Sequence, residues 1–237
     1  DSDERILDCG TRLSCRKYSK LFLSENKDME QNIMITDCAM SFAARKDSEV
    51  KSYFTSASNL GGAEVLDKLE SSMEHSVEMT IALLDSEPIT PGEYDCICTP
   101  EVTGMIVHEA FGHGVEMDMF AKKRALAEEY VGEYVASPLI NMHDGAAAAD
   151  EVASYFFDDD GVEAEDTLII ENGVLKQGIS DTMAAMRLNT VPTGNSRRES
   201  YRRKAYTRMT NTYFEAGHDK LEDMICLLYT SPSPRDA

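Results

Sequence analysis

The chain has 237 residues, 42% of them hydrophobic, enough for one large domain or two modest ones with a real core. Its 23 Lys and Arg stand against 43 Asp and Glu, a net charge of −20 that repels phosphate backbones and argues against nucleic-acid binding. No apolar run reaches the roughly 18 to 20 residues of a membrane span.

The chain opens on Asp1 rather than Met, with no basic segment leading into an apolar one as in a signal peptide, and an upstream leader stays open. Residues 14–23, 33–44 and 50–56 then suggest strands of an antiparallel meander, with Arg45-Lys46-Asp47-Ser48 as a polar turn. After Gly61-Gly62 the period changes. Leu66, Leu69, Met73, Val77, Ile81 and Leu84 recur every three or four residues, which predicts a long helix over 63–84 with one apolar stripe. His75 lies off that stripe. Pro88 and Pro91-Gly92 end the helix and suggest a boundary between a first domain, 1–87, and a second, 88–225.

Residues 94–98 suggest a short buried strand, and Thr99-Pro100 a helix start, with Thr as cap and Pro in the first helical position. That helix runs through Ile106 and His108 to about Met117, and a second, polar one is expected over 121–130. Residues 167–171 and 174–179 flank Asn172-Gly173, the strongest hairpin signal in the chain. A helix over 181–188 and a strand over 208–214 follow. Strands, a long helix, then more strands with short helices predict an α+β fold rather than a doubly wound parallel sheet.

Cysteines at 9, 15, 38, 96, 98 and 226 match neither a zinc ribbon nor a redox CxxC pair, and are expected to be buried free thiols of a cytoplasmic protein. Residues 226–237 carry two Ser-Pro steps and break with what precedes them. They resemble a translated sequencing adapter and are set aside, so the natural protein is expected to continue past Ile225.

The chemistry concentrates in His108-Glu109-Ala110-Phe111-Gly112-His113. Imidazole is a good zinc ligand, and a neighbouring carboxylate can deprotonate a water that the metal polarises. On an ideal helix two residues five apart point about 140° away from each other. The helix must therefore widen by a π-bulge or unwind near His113, and Gly112 and Gly114 make that cheap. Asp158-Asp159-Asp160-Gly161 lacks the remaining calcium-loop spacing and suggests an acidic turn. The one basic island, residues 197–204, offers Arg197 and Arg198 to a peptide carboxylate or backbone, or to a subunit contact. His143 and His218 lie in polar, turn-like contexts and carry no assigned role.

His-Glu-Ala-Phe-Gly-His-Gly-Val-Glu-Met-Asp (108–118) resembles the metal-binding helix of the TldD/PmbA family, HExxxH followed by Gly and acidic residues. Residues 159–161, the hairpin 168–176, the run 192–201 and Arg208-Met-Thr-Asn-Thr-Tyr213 resemble further family motifs in the same order, over about 86 to 217. The resemblance implies a mainly antiparallel, barrel-like catalytic domain. It implies His108 and His113 as Zn2+ ligands, and Glu109 as the general base of a zinc metallopeptidase acting on unfolded or leader-type peptides. The family's third protein ligand, a Cys near the C-terminus, lies past the end of this chain, and Cys226 is not that residue. The fragment alone is thus expected to bind zinc poorly and to be inactive. Glu116 and Asp118 are expected to support the ligands or cap a helix rather than replace a ligand. The family also implies a dimer, with a second copy or a metal-free relative. Two other functions stay open: a non-catalytic substrate-capture or assembly subunit, and a binding protein that modulates a nucleic-acid enzyme, its acidic charge contacting a basic partner.

Overall fold

The computed structural model describes residues 3–230. The chain divides into two compact units, Asp1–Thr90 with Asp150–Val152, and Pro91–Ala149 with Ala153–Ala237. Among the described residues no helix is long and apolar enough to cross a membrane.

In the first unit Ile6–Leu23 (β1), Asp28–Lys46 (β2) and Glu49–Leu60 (β3) form an antiparallel sheet in that order. β1 starts eight residues before the strand expected from the sequence, since Ile6 pairs with Ala44 and Arg12 with Ala39 whatever the polarity of the side chains between them. β2 alternates as a half-buried strand should, with Thr36, Cys38, Met40, Phe42 and Ala44 all buried. Asp47 turns the chain into β3 with φ of 54°, a conformation that Asp tolerates.

The long helix expected over 63–84 is broken. Leu66–Glu70 (α1) and Met73–Ala82 (α2) are separate, because the Ser71 and Ser72 hydroxyls donate to the carbonyls of Lys68 (2.9 Å) and Leu69 (2.8 Å). The buried face is Val65, Leu69, Ser76, Thr80 and Leu84, whereas Met73 of the expected stripe is 45% exposed. Ser76 and Thr80 return their hydroxyls to the carbonyls four residues earlier, so each small polar side chain is buried without losing a hydrogen bond. Cys38, Met40, Phe42, Val65 and Leu69 make the core of this unit.

The second unit holds Pro100–Ile106 (α3), Met117–Ala121 (α4), Met142–Gly145 (β4), Thr167–Glu171 (β5), Val174–Leu175 (β6), Thr182–Leu188 (α5), Ser196–Arg198 (β7), Ala205–Thr207 (β8), Asn211–Phe214 (β9) and Leu221–Thr230 (α6). Its main sheet runs β6-β5-β4-β9, all antiparallel, and β7-β8 is a separate hairpin. The fold is α+β as predicted, but the sheet is open, with no closed barrel among the described residues. It stays open because β6 is two residues long; the chain then leaves the sheet, and Ile179 bridges in parallel to Glu116. Asn172 (φ 49°) and Gly173 (φ 82°) turn β5 into β6, both in the left-handed region that a tight hairpin requires. Asp181 caps α5, accepting the Ala184 N–H at 2.6 Å.

Several local expectations fail. Residues 94–98 form no strand: they are irregular and mostly exposed. Residues 121–130 are not one helix. α4 stops at Ala121, Lys123 takes φ of 57°, and Leu126–Tyr130 is a tight 3-10 turn. Of the cysteines only Cys38 is buried; Cys9, Cys15, Cys96, Cys98 and Cys226 are exposed. α6 runs through residues 226–230 of the segment set aside as an adapter, and residues 231–237 lie outside the described residues.

Two buried carboxylates fix the loops around the site. Asp144 is fully buried on β4 and accepts from Asn195 Nδ2 (2.7 Å), from the Thr210 N–H (3.0 Å) and from the hydroxyls of Thr210 and Thr212. It thereby pins the 208–212 turn. Asp158 accepts the N–H groups of Asp160, Val162 and Ser196, each at 2.9 Å, so the acidic run is a hydrogen-bonded turn. Burial pushes the Asp158 carboxyl up, against the pull of those N–H groups.

Candidate metal centre

α3 is regular from Pro100 to Ile106, then Val107–Phe111 widens into a π-turn and Gly112–Val115 tightens into a 3-10 turn. The change of winding falls at Phe111, with φ −130° and ψ −40°. One extra residue in the turn brings the histidines back to the same side, with ring centroids 5.0 Å apart and planes at 81°. The turn is anchored by Val107 and Val115, which are buried in one core with Ile169, Ile179 and Met209. The helix that carries His108 and His113 is thus held against β5 and the 208–212 turn.

Ligand atoms of His108, Glu109 and His113 all lie within 4.8 Å of one another, and His108 Nε2 is 3.9 Å from Glu109 Oε1. A tetrahedral zinc ion about 2.0–2.1 Å from each nitrogen would set the pair roughly 3.4 Å apart. Both rings are about half exposed, which leaves the side chains free to rotate to that spacing. The donor set suits a borderline metal, and the residues present fit a divalent ion such as zinc.

His113 is held from behind. Its Nδ1 is 3.3 Å from Glu116 Oε1, and Glu116 Oε2 accepts from Arg208 Nη1 at 3.2 Å. The Glu116 side chain is only 6% exposed, and burial pushes its carboxyl up against the opposing pull of Arg208 and His113. Arg208 is steadied in turn by a bond to the Thr207 carbonyl at 2.7 Å. With Nδ1 engaged, Nε2 is the nitrogen that His113 offers to a metal. Asp118 pairs with Lys122 at 2.7 Å instead and does not line the cleft.

The histidines open onto a cleft of about 550 Å³, lined also by Glu116, Arg197, Arg198, Glu199, Arg203, Tyr206, Arg208 and Met209. The structure therefore places Arg197 and Arg198, chosen from the basic island, in the same cleft as His108 and His113. Arg197 donates to the Met209 carbonyl (2.9 Å) and Arg198 to the Arg203 carbonyl (3.1 Å). Sequence reasoning missed Arg208 and Tyr206. The pairing of Glu116 with an arginine so far along the chain has no local signature. His143, given no role, is a structural bridge between Asp166 (2.8 Å) and Glu215 (3.0 Å), stacked on Tyr213.

Residues 91–228 match the family described as the PmbA/TldA metallopeptidase C-terminal domain. A metalloprotease of Methanocaldococcus jannaschii is 28% identical over 94% of this chain and 50% of its own length. A zinc metalloprotease TldD homolog of Saccharolobus solfataricus is 37% identical over 56% of this chain and 30% of its own. This chain spans about half, or less, of the curated relatives it matches. The crystal structure of a proposed modulator of a DNA gyrase from Thermotoga maritima shares the fold, with a TM-score of 0.79 at 22% identity over 95% of this chain and 51% of that one. TldE from Thermococcus kodakarensis does so at 0.67 and 19% identity, over 92% and 48%. With its ordered motifs, its α+β fold and a family match over more than half its length, the chain belongs to the TldD/PmbA family of metallopeptidases.

Proposed function

We propose that this chain carries the catalytic centre of a zinc-dependent peptidase that hydrolyses unfolded or leader-type peptides in the cytoplasm. The observation that supports this most is the gathering of His108, Glu109 and His113 within 4.8 Å on a helix turn widened to bring them together. His108 and His113 would hold the ion, with further ligation from the rest of the intact protein. Zinc bound there supplies Lewis-acid polarisation of the scissile carbonyl and of the attacking water.

Glu109 is the general base. Its carboxylate is 67% exposed beside the histidine pair, where it can take the proton from the attacking water and pass it to the leaving amine. Glu116 engages Nδ1 of His113 and Arg208 holds Glu116, which leaves Nε2 of that ring for the ion. An extended peptide would be read by adding a strand to β-structure, and Arg197 and Arg198, which line the cleft, would hold it. Membership of the TldD/PmbA family suggests a dimer, with a second copy or with a subunit of the same family.

The test uses the intact-length protein with its family partner and an unstructured peptide. Wild type is expected to cleave. Glu109→Gln is expected to retain zinc and lose about 10²–10⁴ of the rate, the usual share of a general base. Equal rates in the two proteins remove Glu109 from the mechanism, and no cleavage by either despite bound zinc points to the capture subunit.

A further inference from the structure

We propose that the cleft beside the histidine pair selects peptides by a carboxylate, held by the guanidinium groups of Arg197, Arg198 and Arg203. This rests on the peptidase reading of the same site and adds the class of peptide that it takes.

The charge of the cleft opposes that of the chain. A net charge of −20 should repel an anionic substrate, yet the cleft wall carries Arg197, Arg198, Arg203 and Arg208 against Glu116 and Glu199. Glu116 is buried and engaged with His113 and Arg208, which removes one acid and one arginine from the reckoning. Glu199 reaches Arg203 only at 3.8 Å, between two exposed side chains, a contact that water and salt weaken. Three cations remain for a ligand. Lys204 also lies over the Tyr206 ring, at 4.6 Å, and adds positive potential along the wall.

The arginines are also held in place. Arg197 and Arg198 each give one N–H to a backbone carbonyl, of Met209 and Arg203 respectively. A guanidinium has five N–H groups in a planar fork, so one anchoring bond restrains the group and leaves donors for a carboxylate. A peptide backbone amide offers one neutral acceptor, whereas a carboxylate matches the charged, planar fork of a guanidinium and gains from further positive charge nearby. A cleft of 550 Å³ is about 10 Å across if roughly equidimensional, about three residues of extended peptide. The carboxylate is therefore within about three residues of the bond cut. It is either the free C-terminus or an Asp or Glu side chain.

The experiment measures binding of fluorescent peptides to the zinc-loaded, intact-length Glu109→Gln protein, in which turnover does not interfere. Three peptides with one neutral core are compared: a free C-terminal acid, its C-terminal amide, and the amide with a single internal Glu. A charge-assisted contact predicts that at least one carboxylate peptide binds about tenfold or more tightly than the plain amide. Arg198→Ala and Arg203→Ala each erase that difference, and added salt shrinks it. Which carboxylate peptide gains tells terminus from side chain. Equal affinity for all three, or a preference that survives both substitutions, overturns the proposal. Cleavage of the same peptides by wild type is scored separately, so failure of the peptidase reading shows as zinc-bound protein that cuts none of them.

Discussion

Gly112 stands just before the second histidine, and space rather than backbone freedom explains a glycine there. Its φ of −56° and ψ of −46° are open to any residue, and the distortion between the histidines sits on Phe111. A Cβ at position 112 would fall 2.1 Å from Met209 Sδ and 3.3 Å from the Val107 carbonyl oxygen. Met209 is 5% exposed, and its thioether must shift to make room. Gly112→Ala should therefore cost about 1–3 kcal/mol by overpacking, while Gly114→Ala, with nothing within 4 Å, should be close to neutral. Denaturant midpoints of the metal-free protein at unchanged slope would check the pair, and equal effects at the two positions would contradict this account. The glycines were visible in the sequence. Their separate reasons were not, because Met209 is brought against Gly112 only by the folded 208–212 turn.

At the scale of elements, legibility followed from how local each cause is. The widened turn could be foreseen because the five-residue spacing of His108 and His113 and the helical period together leave no regular solution. The β5–β6 hairpin announced itself through Asn172-Gly173. β4 did not: Met-His-Asp-Gly has no strand alternation, and it becomes a strand because β5 and β9 pair with it on either side and Asp144 is satisfied by Asn195, Thr210 and Thr212. The apolar stripe over 66–84 misled for a related reason, since two serines that cap α1 internally shift which face meets the sheet.

The end of β9 offers a pH test at this scale. Glu215 accepts from Asn141 (2.7 Å) and meets His143 Nε2 (3.0 Å), tying β4 to β9, and these contacts hold its carboxyl below the ordinary glutamate range. A depressed folded-state value contributes stability that is present above the unfolded value, about 4.3, and is lost as pH falls through the folded one. Glu215→Gln should thus lower the melting temperature near neutral pH, with the gap to wild type closing as pH falls below about 4. A gap that does not change with pH would assign the effect to packing.

For the molecule as a whole, the acidic excess and the basic cleft belong together: a chain of net charge −20 concentrates arginines where its histidines open to solvent. Composition showed the excess and the motif showed the histidines, but only the fold brings residues 197–208 to them. The hairpin β7-β8 presents Arg197, Arg198 and Tyr206, and the buried Asp144 fixes the turn that follows it. The central claim is that His108 and His113 act on one ion. X-ray absorption of the zinc-loaded, intact-length protein addresses it directly. The account predicts two imidazole nitrogens about 2.0–2.1 Å from zinc, falling to one in His113→Ala. A zinc shell without imidazole, or one that His113→Ala leaves unchanged, would contradict it.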